Sequence, residues 1–293
     1  MQATLRTIAL FAALIGLFMA IGWLLGYFFG QGTTEDALLG MTFFLAIAAV
    51  MNFIAYFFSS KIVLWSYKAK IVSKSDAPRL YNTVNKIALK ADLPMPKIAI
   101  VPTQTPNAFA TGRNKKTAVV AATEGLLQTL TDDELEGVLA HEMAHVKGRD
   151  ILVMSAAATI AGAIAFAARA ALWSSIGGRR DNGNGIILIV AAITAPLAAM
   201  LLQLAISRNR EYRADREGSL LIQRPLALAR ALEKLEIANR RRPLQSGSPA
   251  SASLFIVNPF NAQGLVSLFM THPPVKSRVQ KLHQLAEETG FIG

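Results

Sequence analysis

The chain has 293 residues, no cysteine and a formal net charge of +11 at pH 7. Hydrophobic residues make up 53% of it and the mean hydropathy is +0.37, far above the values of a soluble domain. Without cysteine it forms neither disulfides nor thiolate metal sites, so a metal would need histidine and carboxylate ligands. No recognised nucleic-acid-binding motif accompanies the basic residues, so we expect them to face anionic lipid headgroups or to orient membrane spans, not to bind nucleic acid.

Four apolar runs are each long enough to cross a bilayer, which requires about 20 residues. They cover residues 8–29, 37–58, 151–173 and 186–206. The first two carry no charged side chain and predict two transmembrane helices, the first of which is too long for a signal peptide and is expected to remain as an anchor. The third contains Arg169 near its end, and the fourth contains Pro196 and Gln203. A hairpin buried against protein is therefore the alternative to two further crossings.

The basic residues predict the orientation of these spans. Residues 59–150 and 207–293 carry +4 and +6 of the net charge, and basic residues near span ends stay on the cytoplasmic side. Both segments, and the amino terminus with Arg6, are expected to face the cytoplasm. Arg179 and Arg180 would lie in an exported loop, which weakens the case for full crossings by the last two runs.

The stretch His141-Glu142-Met143-Ala144-His145 is the most informative in the chain. Residues four apart share one face of an α-helix, so both imidazoles can reach one ion while the carboxylate flanks the water on that ion. Residues 131–134 have the S/T-x-x-E form of a capping box that would start this helix. The motif indicates metal-assisted hydrolysis, and the alternative is a solvated helix whose histidines have no chemical role.

Such a site needs a third protein ligand. Glu211 and Asp215 are four residues apart just after the fourth apolar run, so on a helix they share a face. The pair suits a glutamate on the metal and an aspartate that fixes a histidine tautomer from behind. An exposed helix, with neighbouring arginines as ion-pair partners, is an equally good interpretation of the spacing.

Together these motifs resemble those of the HtpX membrane metalloproteases, which are related to the CAAX prenyl proteases, and the resemblance covers essentially the whole chain. It rests on two amino-terminal spans followed by the segments Pro106-Asn107-Ala108-Phe109-Ala110-Thr111-Gly112, His141-Glu142-Met143-Ala144-His145, Glu211-Tyr212-Arg213-Ala214-Asp215 and Thr271-His272-Pro273-Pro274. Tyr212 and Arg213 differ from the consensus sequence of the family, but they do not occupy the ligand positions.

The resemblance implies an integral, multi-pass zinc endopeptidase of the bacterial inner membrane, with its catalytic domain in the cytoplasm. It implies cleavage of misfolded or damaged membrane proteins in quality control and stress response. It places one zinc ion on His141, His145 and Glu211. Glu142 would be the general base for the attacking water, and Asp215 would support a ligand from behind.

Further residues are predicted to complete the site. Residues 97–101 and 117–121 are predicted strands, and Asn107, Ala108 and Phe109 between them are predicted to form an edge that pairs with an extended substrate. His272 and Arg278 are candidate donors to the oxyanion of the tetrahedral intermediate. Asp150 would orient a ligand or end the helix before the third apolar run, and His283 is expected on the surface of a terminal helix.

The expected fold class is a mainly α integral membrane protein, with about four transmembrane helices and a zincin-like α+β protease domain holding a small sheet. A mobile loop is expected over residues 240–263, as a substrate gate or a surface insertion. The rival functions are a non-enzymatic membrane adaptor and a CAAX-type processing protease that cleaves near a lipidated carboxyl terminus. The chain divides into two transmembrane helices (1–58), a first protease segment (59–150), a membrane hairpin (151–206) and a second protease segment (207–293).

Overall fold

The structure, a computed structural model, describes residues 2–163, 208–244, 249–260 and 273–291. Within these residues the chain is mostly helical and contains one small mixed sheet, as the sequence predicts. His272, the fourth apolar run and much of the third lie outside the described residues.

The amino-terminal third forms an antiparallel pair of long helices, α1 (Gln2–Phe29) and α2 (Thr34–Ser66). The two backbones pack closely, because a Cβ on Gly22 would lie 2.5 Å from the carbonyl oxygen of Gly40. Both helices are long and apolar enough to span a membrane, with mean hydropathies of 2.5 and 2.2, and many of their large apolar side chains are exposed. Among the described helices only these two have that length and composition, whereas four were expected.

The remaining elements form a unit that follows this hairpin. In chain order they are β1 (Lys70–Val72), α3 (Pro78–Ala91), β2 (Lys97–Val101), β3 (Ala108–Thr111), β4 (Val119–Thr123), α4 (Glu124–Thr129), α5 (Asp132–Gly148), α6 (Ile151–Ala163), α7 (Arg208–Ile222), α8 (Pro225–Arg241) and α9 (Val275–Thr289). Short 3-10 turns lie at Lys115–Thr117 and Pro249–Leu254.

The sheet has the strand order β1-β2-β4-β3, in which β2 and β4 are parallel and the outer pairs are antiparallel. Strand β2 has the predicted bounds. Strand β4 begins two residues later than predicted, because Lys115–Thr117 forms a 3-10 turn whose backbone N–H groups are capped by Asn114. Strand β3 lies at the edge of the sheet, next to α5.

Helix α5 lies at the centre of the protein, and its residues from Glu134 to Val146 are all buried. The predicted capping box starts it: Thr131 accepts from the Glu134 N–H, and the Glu134 carboxylate accepts from the Thr131 N–H. Helices α7 and α8 approach α5 through glycines. A Cβ on Gly218 would lie 2.8 Å from the backbone of Ala140 and His141, and one on Gly137 would lie 2.9 Å from Leu228.

The described part of the third apolar run, α6, is packed against protein. Val153, Met154, Ala156 and Ala157 are each at most 4% exposed and belong to the same apolar cluster as residues of α1 and α2. The start of this run is therefore covered by other described parts of the chain. The remainder of the run lies outside the described residues.

Candidate metal centre and active site

The two motif histidines project from the same face of α5 and are almost fully buried. His141 and His145 are 1% and 3% exposed, and their Nε2 atoms lie 3.2 Å apart. When both rings are neutral and direct their Nε2 lone pairs at each other, the two nitrogens repel. A cation between them would stabilise the pair.

Glu211 brings a carboxylate to the same point from α7. Its Oε1 atom lies 3.5 Å from His145 Nε2, and its Oε2 atom lies 3.7 Å from His141 Nε2. In a tetrahedral zinc site with bonds of about 2.0–2.1 Å, ligand atoms lie about 3.4 Å apart. The three residues therefore form a cluster of the right spacing for one such ion, and the cluster is buried.

A second layer of charges fixes the ring of His141. Asp215, one turn after Glu211 on α7, places Oδ1 2.8 Å from His141 Nδ1. Arg278 of α9 binds the same carboxylate with two hydrogen bonds, and it also donates to the carbonyl oxygen of Ile256 at 2.6 Å. A carboxylate that accepts from Nδ1–H leaves the Nε2 lone pair directed at the cluster.

His145 has a similar partner. Asp150, which follows the end of α5, places Oδ2 3.5 Å from His145 Nδ1. Arg213 of α7 donates to that oxygen at 3.0 Å, and an Arg210 nitrogen lies 3.5 Å from the other one. The loop position of Asp150 follows from Arg149, whose left-handed backbone (φ 61°) ends α5. Asp150 thus lies between α5 and α6 and also contacts the ring of His145, and its role in orienting a metal ligand stays a prediction.

Burial and charge set the protonation of these groups. Burial lowers the pKa of His141 from 6.5 to about 4, even though Asp215 opposes the shift, so the ring is neutral at pH 7. Burial alone would raise the pKa of Asp215, but Arg278 and His141 lower it more strongly, from 3.8 to about 2. Burial lowers the pKa of His145, yet Glu211, Asp150 and Glu142 raise it more strongly. The carboxylates around His145 favour positive charge at the cluster, which suits a bound cation.

Glu142 lies between the histidines in sequence and beside the cluster in space, and it is 2% exposed. Burial raises its pKa from 4.5 to about 7, and the neighbouring Glu211 charge adds to that shift. The backbone N–H of Ala110 in β3 donates a hydrogen bond to its carboxylate. A carboxyl with a pKa near 7 can both accept and donate a proton at neutral pH.

The outer edge of β3 faces this group and is partly covered. The Ile256 N–H donates to the carbonyl oxygen of Ala108 at 3.3 Å, and the Asn107 side chain donates to the carbonyl oxygen of Val257 at 2.6 Å. Phe109 is fully buried and packs on Phe255. Asn107 and Phe109, which the sequence predicts at a substrate edge, therefore hold the segment 255–257 against the first half of β3.

Of the two predicted oxyanion donors, His272 lies outside the described residues and Arg278 is described, and His283 was expected on the surface. Arg278 is 1% exposed and directs its guanidinium at Asp215 and Ile256. His283 is exposed on α9. The sequence did not predict that Ile256, Arg210 and Arg213 contribute to the site. For the two arginines the reason is that an arginine next to a carboxylate is equally common on an exposed helix.

A buried His-His-Glu cluster beside a carboxyl poised near neutral pH is the arrangement of a metallopeptidase. Comparison with known sequences defines the family. The sequence pattern of peptidase family M48 matches residues 74–286, and this chain belongs to that family.

Relatives named "Protease HtpX homolog" match nearly the whole chain, which confirms the expected resemblance. The one from Thermococcus sibiricus is 50% identical over 98% of this chain and 97% of its own length. Those from Pyrococcus furiosus and Syntrophobacter fumaroxidans are 51% and 48% identical, over 98% and 97% of this chain and over 97% and 100% of their own lengths. The protein is thus a membrane-associated metalloendopeptidase.

A solved structure also aligns with this one. The crystal structure of S. mikatae Ste24p matches 95% of this chain with a TM-score of 0.49 and 19% identity. The chain spans 65% of the length of that structure.

Proposed function

We propose that this protein is a zinc-dependent endopeptidase that cleaves misfolded or damaged membrane proteins from the cytoplasmic side of a bacterial inner membrane. The observation that carries the proposal is the close spacing of His141, His145 and Glu211 beside Glu142: the two Nε2 atoms lie 3.2 Å apart, one Glu211 oxygen lies 3.5 Å from His145 Nε2, and the other lies 3.7 Å from His141 Nε2. A donor set of two imidazoles and one carboxylate leaves one position of a tetrahedral zinc site open, as catalytic sites require.

The chain's own residues divide the chemistry between them. When bound, zinc polarises the scissile carbonyl and makes water a stronger acid. Glu142 accepts a proton from the attacking water and delivers it to the leaving amine, two transfers that its pKa of about 7 suits. Asp215 and Asp150 hold the ligand histidines, and Arg278 keeps Asp215 ionised. The roles of His272 and Arg278 toward the oxyanion remain predictions from the sequence.

Substrate would bind as an extended strand along the part of the β3 edge that the segment 255–257 leaves uncovered, where it would take over the Ala110 N–H that donates to Glu142. The Asn107 N–H donates to the Thr123 side chain and its carbonyl accepts from the Thr123 N–H, so the peptide groups of Ala108 and Ala110 point away from β4. The segment 255–257 covers Ala108, whereas Ala110 lies next to Glu142. A strand added here would bring a peptide bond to the catalytic carboxyl without specific side-chain pockets.

In this proposal the position of the active site next to the bilayer determines which substrates it meets. Helices α1 and α2 anchor the protein, and the catalytic domain is assembled from residues 59–150 and 207–293 with a membrane hairpin (151–206) between them. A site next to a bilayer meets the exposed tails and loops of neighbouring membrane proteins more often than it meets soluble chains. This favours a quality-control role over an adaptor role, which would need no metal site.

The test is degradation of an unfolded membrane protein by the full chain in detergent with zinc, comparing the natural sequence with Glu142→Gln. We expect the variant to retain one zinc per chain and to lose activity by about 10²–10⁴-fold, the usual contribution of a general base. Glu217→Gln, on the exposed face of α7, is the matched control and should cleave normally.

Two outcomes would count against the proposal. Equal cleavage by the natural protein and Glu142→Gln would remove Glu142 from the role of general base. Equal rates on a soluble unfolded chain and on a membrane substrate, both reconstituted with the enzyme in vesicles, would contradict selection by position while leaving the chemistry intact.

A further inference from the structure

A cavity of about 720 Å³ lies where the membrane helices meet the catalytic unit, away from the His-His-Glu cluster. One wall is apolar and consists of Ile8 and Phe11 of α1 and Leu152 of α6. Another part of the lining, the cationic wall, carries four cationic side chains, and no aspartate or glutamate is among the described residues that line the cavity. The four are Arg113, Lys115, Lys116 and Arg149.

The cationic wall is built on a fixed turn. Arg113 to Lys116 connect β3 to β4, and the Asn114 side chain accepts from the backbone N–H groups of Lys116 and Thr117. Arg149 comes from the end of α5 and holds a left-handed backbone, a conformation that glycine adopts at lower cost. Two separate parts of the chain therefore bring positive charge to one place, where the charges repel unless an anion lies between them.

The cavity is expected at the level of the membrane surface, because Ile8 and Tyr56 lie near the ends of the first two apolar runs. Tyr56 lines it near the end of the second apolar run, and its ring packs on Phe11 with centroids 6.4 Å apart. The Arg113 guanidinium lies 5.9 Å from the Tyr56 ring and 5.2 Å from the Phe57 ring. Tyrosine rings and arginines are typical of the level of the lipid headgroups. The cavity thus combines cationic side chains that suit a headgroup with apolar side chains that suit an acyl chain.

We propose that this cavity binds one anionic phospholipid of the surrounding bilayer. The phosphate would lie among Arg113, Lys115, Lys116 and Arg149, and an acyl chain would run along Ile8, Phe11 and Leu152. Such a lipid would join the β3–β4 turn and the end of α5 to the membrane helices. A free phosphate would satisfy the charges and leave the apolar wall without a partner, so a lipid fits the whole cavity better.

The experiment is native mass spectrometry of the full chain in detergent, titrated with phosphatidylglycerol or with phosphatidylcholine of the same acyl chains. We expect the natural protein to retain phosphatidylglycerol at least about tenfold more tightly, since each basic residue near a membrane surface contributes measurably to anionic-lipid binding. The quadruple variant Arg113→Gln, Lys115→Gln, Lys116→Gln, Arg149→Asn should lose the preference. Asparagine is chosen at position 149 because it tolerates the left-handed conformation.

The matched control removes the same charge from exposed positions elsewhere, in Lys97→Gln, Arg230→Gln, Arg241→Gln, Lys276→Gln, and should keep the preference. A second variant, Leu152→Trp, fills the apolar side without changing the charge and should also weaken phosphatidylglycerol binding. Retained preference in the quadruple variant, or equal loss in the control, would overturn the proposal. Displacement of phosphatidylglycerol by inorganic phosphate at equal concentration would show a free-phosphate site instead.

Discussion

Arg278 and Asp215 form a buried ion pair directly behind His141, with 2.8 Å from Nε to Oδ2 and 2.6 Å from Nη2 to Oδ1. Because Asp215 Oδ1 also contacts His141 Nδ1 at 2.8 Å, the carboxylate connects α9 to the face of α5 that carries the ligands. The pair therefore does two things: it keeps Asp215 ionised and it fixes the tautomer of a ligand histidine. Both consequences can be measured.

Asp215→Asn should lower zinc affinity by about 10–100-fold, the usual effect of removing a carboxylate that holds a ligand histidine. The asparagine oxygen can still accept from His141, but the charge that Arg278 needs is gone, so the fold should lose about 3–5 kcal/mol as well. Zinc affinity is measured on the folded protein by competition with a chromogenic chelator. Glu217→Gln on the same helix is the control, and an unchanged affinity in Asp215→Asn would show that the aspartate does not act on the metal site.

The contact between α5 and α7 gives a second prediction. Gly218→Ala would place a Cβ 2.8 Å from the backbone of Ala140 and His141, so α7 must move away from α5 and take Glu211 with it. Gly137→Ala is the matched variant, because its Cβ would meet α8 at Leu228 and leave α7 in place. Both should destabilise the protein by about 1–3 kcal/mol, as overpacking does.

Only Gly218→Ala should also weaken zinc binding, since only that substitution separates Glu211 from the two histidines. The two variants are compared by thermal unfolding in detergent and by zinc content after dialysis against a weak chelator. Equal zinc retention at equal loss of stability would mean that Glu211 can follow α5, and that the close approach of the helices serves packing alone.

Much of the site could be predicted from the sequence because its spacing is local. His141 and His145, like Glu211 and Asp215, are four residues apart, and helical geometry alone puts each pair on one face. The capping box at Thr131 is equally local and is present. What brings the two helices together is a glycine at position 218, and a lone glycine in a helix does not reveal which backbone it contacts.

The contacts at the edge of the sheet could not be predicted from the sequence. The sequence predicts a substrate edge around Asn107, and β3 is an edge strand, but residues 255–257 bind its first half from about 150 positions away. Backbone contacts between such distant segments leave no periodic pattern. Arg278 is a similar case: the sequence offers it as a candidate oxyanion donor but does not reveal that it is buried against Asp215.

A third prediction concerns the junction between α2 and the catalytic unit. Tyr67 follows α2, its hydroxyl hydrogen bonds with Ser251, and its ring packs against Phe109 and Phe255. Burial raises the pKa of Tyr67 to about 12, so the hydroxyl stays protonated. Tyr67→Phe and Ser251→Ala should each lower the free energy of unfolding by about 1–3 kcal/mol, because each removes the buried hydrogen bond between these two side chains.

The double variant Tyr67→Phe, Ser251→Ala should be destabilised less than the sum of the two single variants, since both remove the same interaction. Chemical unfolding in detergent, followed by circular dichroism, completes the cycle. Additive effects would show that the two side chains contribute independently.

The start of α5 gives a prediction for pH. Burial raises the pKa of Glu134, but Lys234, whose Nζ lies 2.8 Å away, and the Thr131 N–H lower it more, so it lies below its ordinary value of 4.5. A carboxyl with a lower pKa in the folded state stabilises the fold above pH 4.5, and that contribution is lost as the pH falls through the folded-state pKa. Glu134→Gln can still close the capping box, so it removes mainly the charge interaction.

We therefore expect Glu134→Gln to lower the free energy of unfolding by about 0.5–1 kcal/mol at pH 7. The value is modest because the Lys234 ammonium is partly exposed. The loss should become progressively smaller as the pH falls below about 4.5. The measurement is the difference in unfolding free energy between the natural protein and the variant at several pH values. Glu287→Gln, an exposed carboxyl on α9, should show no such trend. A difference that stays constant across this range would mean that Glu134 acts through its shape and hydrogen bonds, without a contribution from its charge.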